Sequence, residues 1–378
     1  MRYLFPFVSF LFLVSLLASC GGGQIDTDTA EPVTESETVR ELVFVDSIGV
    51  ELGDSSYVFG SIESSSHSFD GNILILDRPA CCVREYTPDG EFIRSFGRRG
   101  TGPGEFVNPL SMTRLSDGRI AIMDMQAGGI NTFLPNGEWE GITAEIVREP
   151  VLWLTAADSS RYVGTINSFE AVDGQLILTA KVGRFEIDET EPSLVYWENS
   201  FPVTFDDFTL LIEEAYFAKA WASNFDGILF IASRDSEEYL ITGFDADGNG
   251  FVEISLDLPR VEKSDEEILD EAAFWNQRAR NMGYNAQTNY EPDLFRWKIH
   301  SMGIDDQERL WVRRGTEEIP TFDIFDFDGN HLFTANLPAI SGFSGLLWEI
   351  HVDEYGILAW SLDPPDGYQK LYMVEFGE

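Results

Sequence analysis

The chain has 378 residues, of which 25 are basic and 65 acidic, giving a formal net charge of −40, and 44% are hydrophobic. A field of that sign repels nucleic-acid phosphates and anionic membrane headgroups, so neither is expected as an electrostatic partner. The apolar fraction is that of a chain able to build a globular core.

The first residues read as an address. Arg2 is the only early charge, residues 4–17 are apolar but too short to span a bilayer, and small residues precede Cys20. This predicts a signal peptide over residues 1–19. The run Leu17-Ala18-Ser19-Cys20 resembles the bacterial lipobox, which implies cleavage before Cys20, acylation of that cysteine (palmitate included) and a membrane partner held through the lipid anchor. Gly21, rather than Asp, after Cys20 implies sorting to the outer membrane, facing either the periplasm or the cell surface. Residues 20–38, rich in Gly, Thr, Glu and Asp, are expected to form a flexible tether reaching roughly 60 Å from the lipid.

From there a single unit recurs. Apolar runs stand at residues 73–76, 120–123, 176–179, 228–231, 310–313 and 357–360. Most follow a glycine turn, among them Asp70-Gly71, Asp117-Gly118, Asp173-Gly174 and Asp226-Gly227, whereas the fifth copy has Asp306-Gln307-Glu308. A repeat of roughly 50 residues with several short strands predicts an all-β propeller, because one small sheet cannot cover both faces until its neighbours stack on it. Residues 39–378 are therefore expected to form six blades. The first is the clearest, with strands at 60–66, 73–76, 83–86 and 92–96. The last is one strand short, and residues 41–48 are expected to complete it and so hide both sheet edges.

The segment Phe96-Gly97-Arg98-Arg99-Gly100-Thr101-Gly102-Pro103-Gly104-Glu105-Phe106-Val107-Asn108-Pro109 resembles the connector of NHL repeats. That resemblance implies a six-bladed propeller of the NHL or TolB-like kind, closed by its N-terminal strand.

One insertion, at about 259–293 between blades 4 and 5, breaks the period. Ser264-Asp265-Glu266-Glu267 is a capping box, and Ile268, Ala272, Trp275, Ala279 and Met282 follow at spacings of three or four before Gly283. An amphipathic helix of about 18 residues is predicted on the face where propellers bind ligands. It either carries Trp275, with Tyr284 or Tyr290, toward the channel mouth as a lid, or packs its apolar stripe on the neighbouring blades.

Other motifs read as structural. Asp245-Ala246-Asp247-Gly248-Asn249-Gly250 begins like a calcium loop but has Leu256 at its twelfth position, so a hairpin turn is expected. Residues 97–104 lack the Lys of a phosphate loop and contain Pro103, which has no N–H. Cys81 and Cys82 are either a strained vicinal disulfide or two small thiols. His67, His300, His331 and His351 fall on different strands or strand faces, so no metal cluster is expected.

Arginines gather on the loops of the expected ligand face: Arg78, Arg98, Arg99, Arg148, Arg234, Arg313 and Arg314. Guanidinium forks grip carboxylates and phosphates, which would suit an acidic glycan, a small anionic metabolite or an acidic peptide of an envelope protein. Equally, each could pair with a neighbour such as Asp77, Glu105, Asp235, Glu317 or Glu318. No Gly-x-Ser-x-Gly elbow and no His-Glu-x-x-His helix occurs, so the expectation is a lipid-anchored binding or scaffold propeller with no cofactor and no catalytic residue. The alternative is a hydrolase or lyase resembling sugar-lactone lactonases, with calcium or another divalent metal held by Glu63, Asp77, Asn108 and Asp124.

Overall fold

A computed structural model describes residues 38–126, 129–143, 151–204, 208–281, 290–338, 347–364 and 366–377. The expected signal peptide, Cys20 and nearly all of the tether lie outside them, as do Arg148, Met282, Gly283 and Tyr284.

The chain opens with β1 (Val39–Ile48) and then runs through antiparallel sets of strands. The first set is β2 (Ile62–His67), β3 (Ile73–Asp77), β4 (Cys82–Tyr86) and β5 (Phe92–Phe96); the second is β6 (Pro109–Arg114), β7 (Ile120–Asp124), β8 (Gly129–Phe133) and β9 (Trp139–Thr143). The third comprises β10 (Leu152–Ala156), β11 (Arg161–Val172), β12 (Gln175–Glu186) and β13 (Leu194–Pro202). After α1 (Phe208–Leu211) come β14 (Lys219–Ser223), β15 (Leu229–Ser233), β16 (Leu240–Phe244) and β17 (Gly250–Ser255). Then follow α2 (Asp265–Asn281), β18 (Ile299–Ile304), β19 (Leu310–Arg314), β20 (Thr321–Phe325), β21 (His331–Asn336), β22 (Trp348–Asp353), β23 (Gly356–Ser361) and β24 (Leu371–Phe376).

The arrangement is that of a propeller. The first strand of each set packs on the next, β2 on β6, β6 on β10, β10 on β14, β14 on β18, β18 on β22, and β22 back on β2. The core lies between sheets. Ile73 and Ile75 pack toward Leu358, Trp360 and Leu371, whereas Leu74 and Leu76 pack toward Ile120, Ile122 and Phe133. Alternation along a strand thus sends successive side chains into two different interfaces, and this is why β3 is apolar throughout until Asp77.

The expectation of six separate blades is corrected. There are four separate four-stranded sheets, and the remaining strands form one eight-stranded sheet in the order β18-β19-β20-β21-β1-β24-β23-β22. The cause is the length of β1. From Leu42 onward it pairs antiparallel with β24, the pairing expected for the N-terminal strand, but Val39–Glu41 runs on to pair in parallel with Thr334–Asn336 of β21. One strand thereby joins what would have been two blades.

Two further corrections are local. The Asp173-Gly174 turn joins β11 to β12, so the run at 176–179 opens the third strand of its set rather than the second, and β12 continues past it with Ala180 opposite Asn167 and Asn199. The insertion helix is accompanied by a second helical piece, α1, which continues into a π-helical turn at Ile212–Tyr216. In the fifth copy of the turn, Glu308 occupies the left-handed position at φ 54 that Gly71 and Gly118 fill elsewhere, a conformation that costs a residue with a Cβ.

The hairpin reading of residues 245–250 agrees with the geometry: the Asp245 carboxylate accepts from the N–H of Asp247 and of Asn249 and closes the β16–β17 turn. Cys81 and Cys82 are free thiols, and burial pushes both above their ordinary pKa.

Candidate functional site

A cavity of about 560 Å³ runs along the ring, walled by the first strands of the sets and covered by α2. The cover starts where the capping box predicts: Ser264 N–H donates to Glu267 at 2.8 Å and Glu267 N–H donates to Ser264 Oγ at 3.2 Å. From α2, Glu271, Phe274, Trp275 and Arg278 line the cavity. Three contacts hold the helix down. Arg278 pairs with Glu63 of β2 at 2.8 Å, Lys263 pairs with Glu271 at 2.6 Å, and the buried Tyr290 hydroxyl sits 3.1 Å from Glu213 and 3.0 Å from Glu271.

Beneath the cover lies a group of charged side chains deep in the ring. Arg234, just past β15, lines the cavity, donates through Nε to the His300 carbonyl at 2.7 Å, and lies over the rings of Phe217 and Trp297, 5.5 and 5.9 Å from their centroids. Among the described residues, no carboxylate comes within 4 Å of its guanidinium. Arg313, buried behind the wall, donates to the Trp348 carbonyl and lies 3.3 Å from His300 Nδ1. Burial pushes both guanidinium groups down to about 10, with the Glu349 charge opposing the shift. Glu349, on β22, also lines the cavity, and burial raises its pKa against the pull of Arg234 and Arg313. Aromatic rings complete the wall: Trp153 packs on Phe217 at 5.4 Å, and Phe217 on Trp275 at 5.0 Å.

The arginines expected to act together are therefore divided. Arg234 and Trp275 line the cavity, and Arg313 stands directly behind it. Arg98 is largely exposed and pairs with Glu105 at 2.8 Å, while Arg99 donates to the Pro79 carbonyl. Arg314 is drawn away from the cavity by Asp323, at 2.9 and 2.6 Å. Arg78 lies nearer the cover, donating to Asn108 at 2.9 Å and to Glu63 at 3.5 Å.

The metal set proposed from the sequence does not come together as four: Glu63 and Asn108 meet on Arg78, whereas the two aspartates turn to the backbone. Asp77 is fully buried and accepts from the N–H of Gly60, Ser61 and Ala80 while pairing with Arg84 at 3.1 Å. Asp124 accepts from Val107, Asn108 and Gln126 in the same way. These carboxylates clip the loop that enters each first strand, so their lone pairs already serve the backbone. Glu63 is held by two arginines, and the Asn108 oxygen by one. Among the described residues no group of three His, Cys, Asp or Glu side chains is placed to hold a metal ion.

At the other end of the first strands, His67 Nδ1 and His351 Nε2 share Asp353, at 2.8 and 3.0 Å. Burial opposes ionisation of Asp353, but hydrogen bonds from His351 and His67 hold its carboxyl well below the usual carboxylate range. The sequence reading kept these histidines apart because they lie 284 positions distant along the chain (351 − 67). Ring closure, which sets β2 against β22, is what unites them. Glu349, Phe217 and Trp153 are not singled out by the sequence, since none sits on a turn motif, and His300 is weighed there only as a metal ligand.

No protein-family model matches this chain, and no curated protein matches it. Solved structures do resemble it. Virginiamycin B lyase from Staphylococcus aureus is 12% identical over 88% of each chain with a TM-score of 0.41. A protein from Bacteroides fragilis is 11% identical over 90% of this chain and 100% of that one, with a TM-score of 0.46. A gluconolactonase from Xanthomonas campestris is 11% identical over 88% of this chain and 98% of that one, with a TM-score of 0.41. These likenesses assign neither an activity nor a ligand to this chain.

Proposed function

We propose that this chain is a lipid-anchored binding protein of the bacterial cell envelope that takes up a small anionic molecule in the cavity beneath α2. The observation that carries the reading is Arg234: a guanidinium deep in the ring that faces the cavity, has one hydrogen bond to protein and has no carboxylate within 4 Å among the described residues. Removing such a charge from water costs several kcal/mol unless a counter-charge and hydrogen bonds replace the lost hydration. A carboxylate or phosphate held by its fork would supply both. Phe217 and Trp297 flank the guanidinium and would hold that fork in one plane.

The volume of the cavity and its cover favour a discrete molecule over a glycan chain or an envelope protein. The lipid anchor rests on Cys20 and the lipobox resemblance, and outer-membrane sorting on Gly21. Kinship with NHL and TolB-like propellers remains part of the proposal and carries no activity with it. The donor set favours this reading over the lactonase-like alternative, because Asp77 and Asp124 each already accept from three backbone N–H groups.

A thermal-shift and calorimetric screen of carboxylates and phosphates tests the reading. Anion-dependent stabilisation that vanishes in Arg234→Gln is the expected result. Stabilisation that persists unchanged in that variant, or metal-dependent lactone turnover, would overturn it.

A further inference from the structure

Within the cavity, Trp153 is out of keeping with its place in a strand. Its φ is 58, in the left-handed region that bulky residues avoid, and the β10–β11 register shifts between Leu152 and Thr155 around it. Its indole Nε1–H is buried with no acceptor among the described residues, and the same is true of Trp221 Nε1–H further along the wall. A strained backbone and an unmet buried donor are both costs, and folds retain them where the surroundings hold a side chain in place for use. What the strain achieves is visible: the Trp153 ring is set in the cavity wall against Phe217, which contacts Trp275 on the cover and lies under Arg234.

Resting on the reading that Arg234 holds an anion, we propose that the ligand is a planar aromatic acid, with its ring against the wall of Trp153, Phe217 and Trp275 and its anionic group on Arg234. A sugar acid is the competing class, since sugars also stack on aromatic rings. Sugar hydroxyls, however, require donors and acceptors around the stacking face. Here the indole N–H groups of Trp153 and Trp221 are buried beneath the cavity surface, so these two residues offer the ligand ring carbon rather than polar edges. Aromatic rings packing on aromatic walls in offset or edge-on geometry gain beyond the area they bury, whereas a saturated ring of equal size gains only the area.

The test is calorimetry on the full chain with 2-naphthoate, cyclohexanecarboxylate, glucuronate and the neutral 2-naphthamide. Naphthoate should bind, and both saturated acids and the amide should bind at least about tenfold more weakly. Trp153→Phe should keep the preference for naphthoate, and Trp153→Ala should lose it. If glucuronate or cyclohexanecarboxylate binds as well as naphthoate or better, the aromatic assignment falls while anion capture stands. If none of the acids binds, or all bind equally to Arg234→Gln, both readings fall. Should Trp153→Ala not fold, the ligand panel on the unaltered protein decides alone.

Discussion

The Arg278 guanidinium of α2 lies 2.8 Å from the Glu63 carboxylate at the start of β2, joining the cover of the cavity to the strand that begins the ring. Glu63 is almost fully buried, and its second partner, Arg78, stands farther off at 3.5 Å. Replacing Arg278 with Gln should therefore leave a buried carboxylate half-compensated, at a cost of about 1 to 3 kcal/mol in chemical denaturation. Hydrogen exchange in α2 should rise more than exchange in β3 or β7, because only the cover loses its tie.

A second tie depends on pH. Tyr290 has one hydroxyl proton and two carboxylate neighbours, Glu213 and Glu271, so it can donate to only one of them. Burial pushes Glu213 up to about 6, so as pH falls through that value it takes up a proton and can then donate back to the phenol oxygen. Its folded pKa is raised, so the contribution is complete below the ordinary value of 4.5 and is lost as pH rises through about 6. Unfolding free energy should fall by at most about 2 kcal/mol over that window, and Glu213→Gln should flatten the slope. An unchanged slope in Glu213→Gln would place the titration elsewhere.

The joint made by β1 is testable with one side chain. Leu42 is 1% exposed and packs with Trp311, Phe322 and Phe333 where the strand passes from β21 to β24. Leu42→Ala should cost about 2 to 4 kcal/mol, the range for a buried leucine whose cavity cannot collapse. The exposed Val45 on the same strand should tolerate Ala with a change within about 0.5 kcal/mol.

The anchor is checked by detergent partitioning. Cys20→Ala should move the protein from the detergent phase to the aqueous phase or leave the precursor uncleaved. Partitioning like that of the native chain would remove the lipid anchor from the proposal.

Much of the fold could be read locally. The turns of the Asp-Gly type, the capping box of α2 and the apolar runs all act within a few residues, and Ser264 and Glu267 meet as their spacing requires. Local signals also misled. Asp173-Gly174 has the composition of the turns between first and second strands, yet it closes the next hairpin of its set, because β11 and β12 extend for twelve residues each. The arginine count on the loops was legible, but pairing was not: Arg314 finds Asp323 nine positions on and leaves the cavity, whereas Arg234 donates to a carbonyl, lies over aromatic rings and feels the Glu349 charge from a distance.

The sequence by itself determined the strands of the first set, most of the tight turns, the covering helix and the expectation of a lipidated start, because each is written in neighbours along the chain. Tertiary structure decided the rest. The fusion of the last strands through β1, the Asp353 shared by His67 and His351, and the meeting of Arg234, Glu349, Trp153 and Trp275 around one cavity all depend on ring closure. Closure brings residues hundreds of positions apart within a few ångströms, and no periodicity in the chain encodes which side chains then face one another.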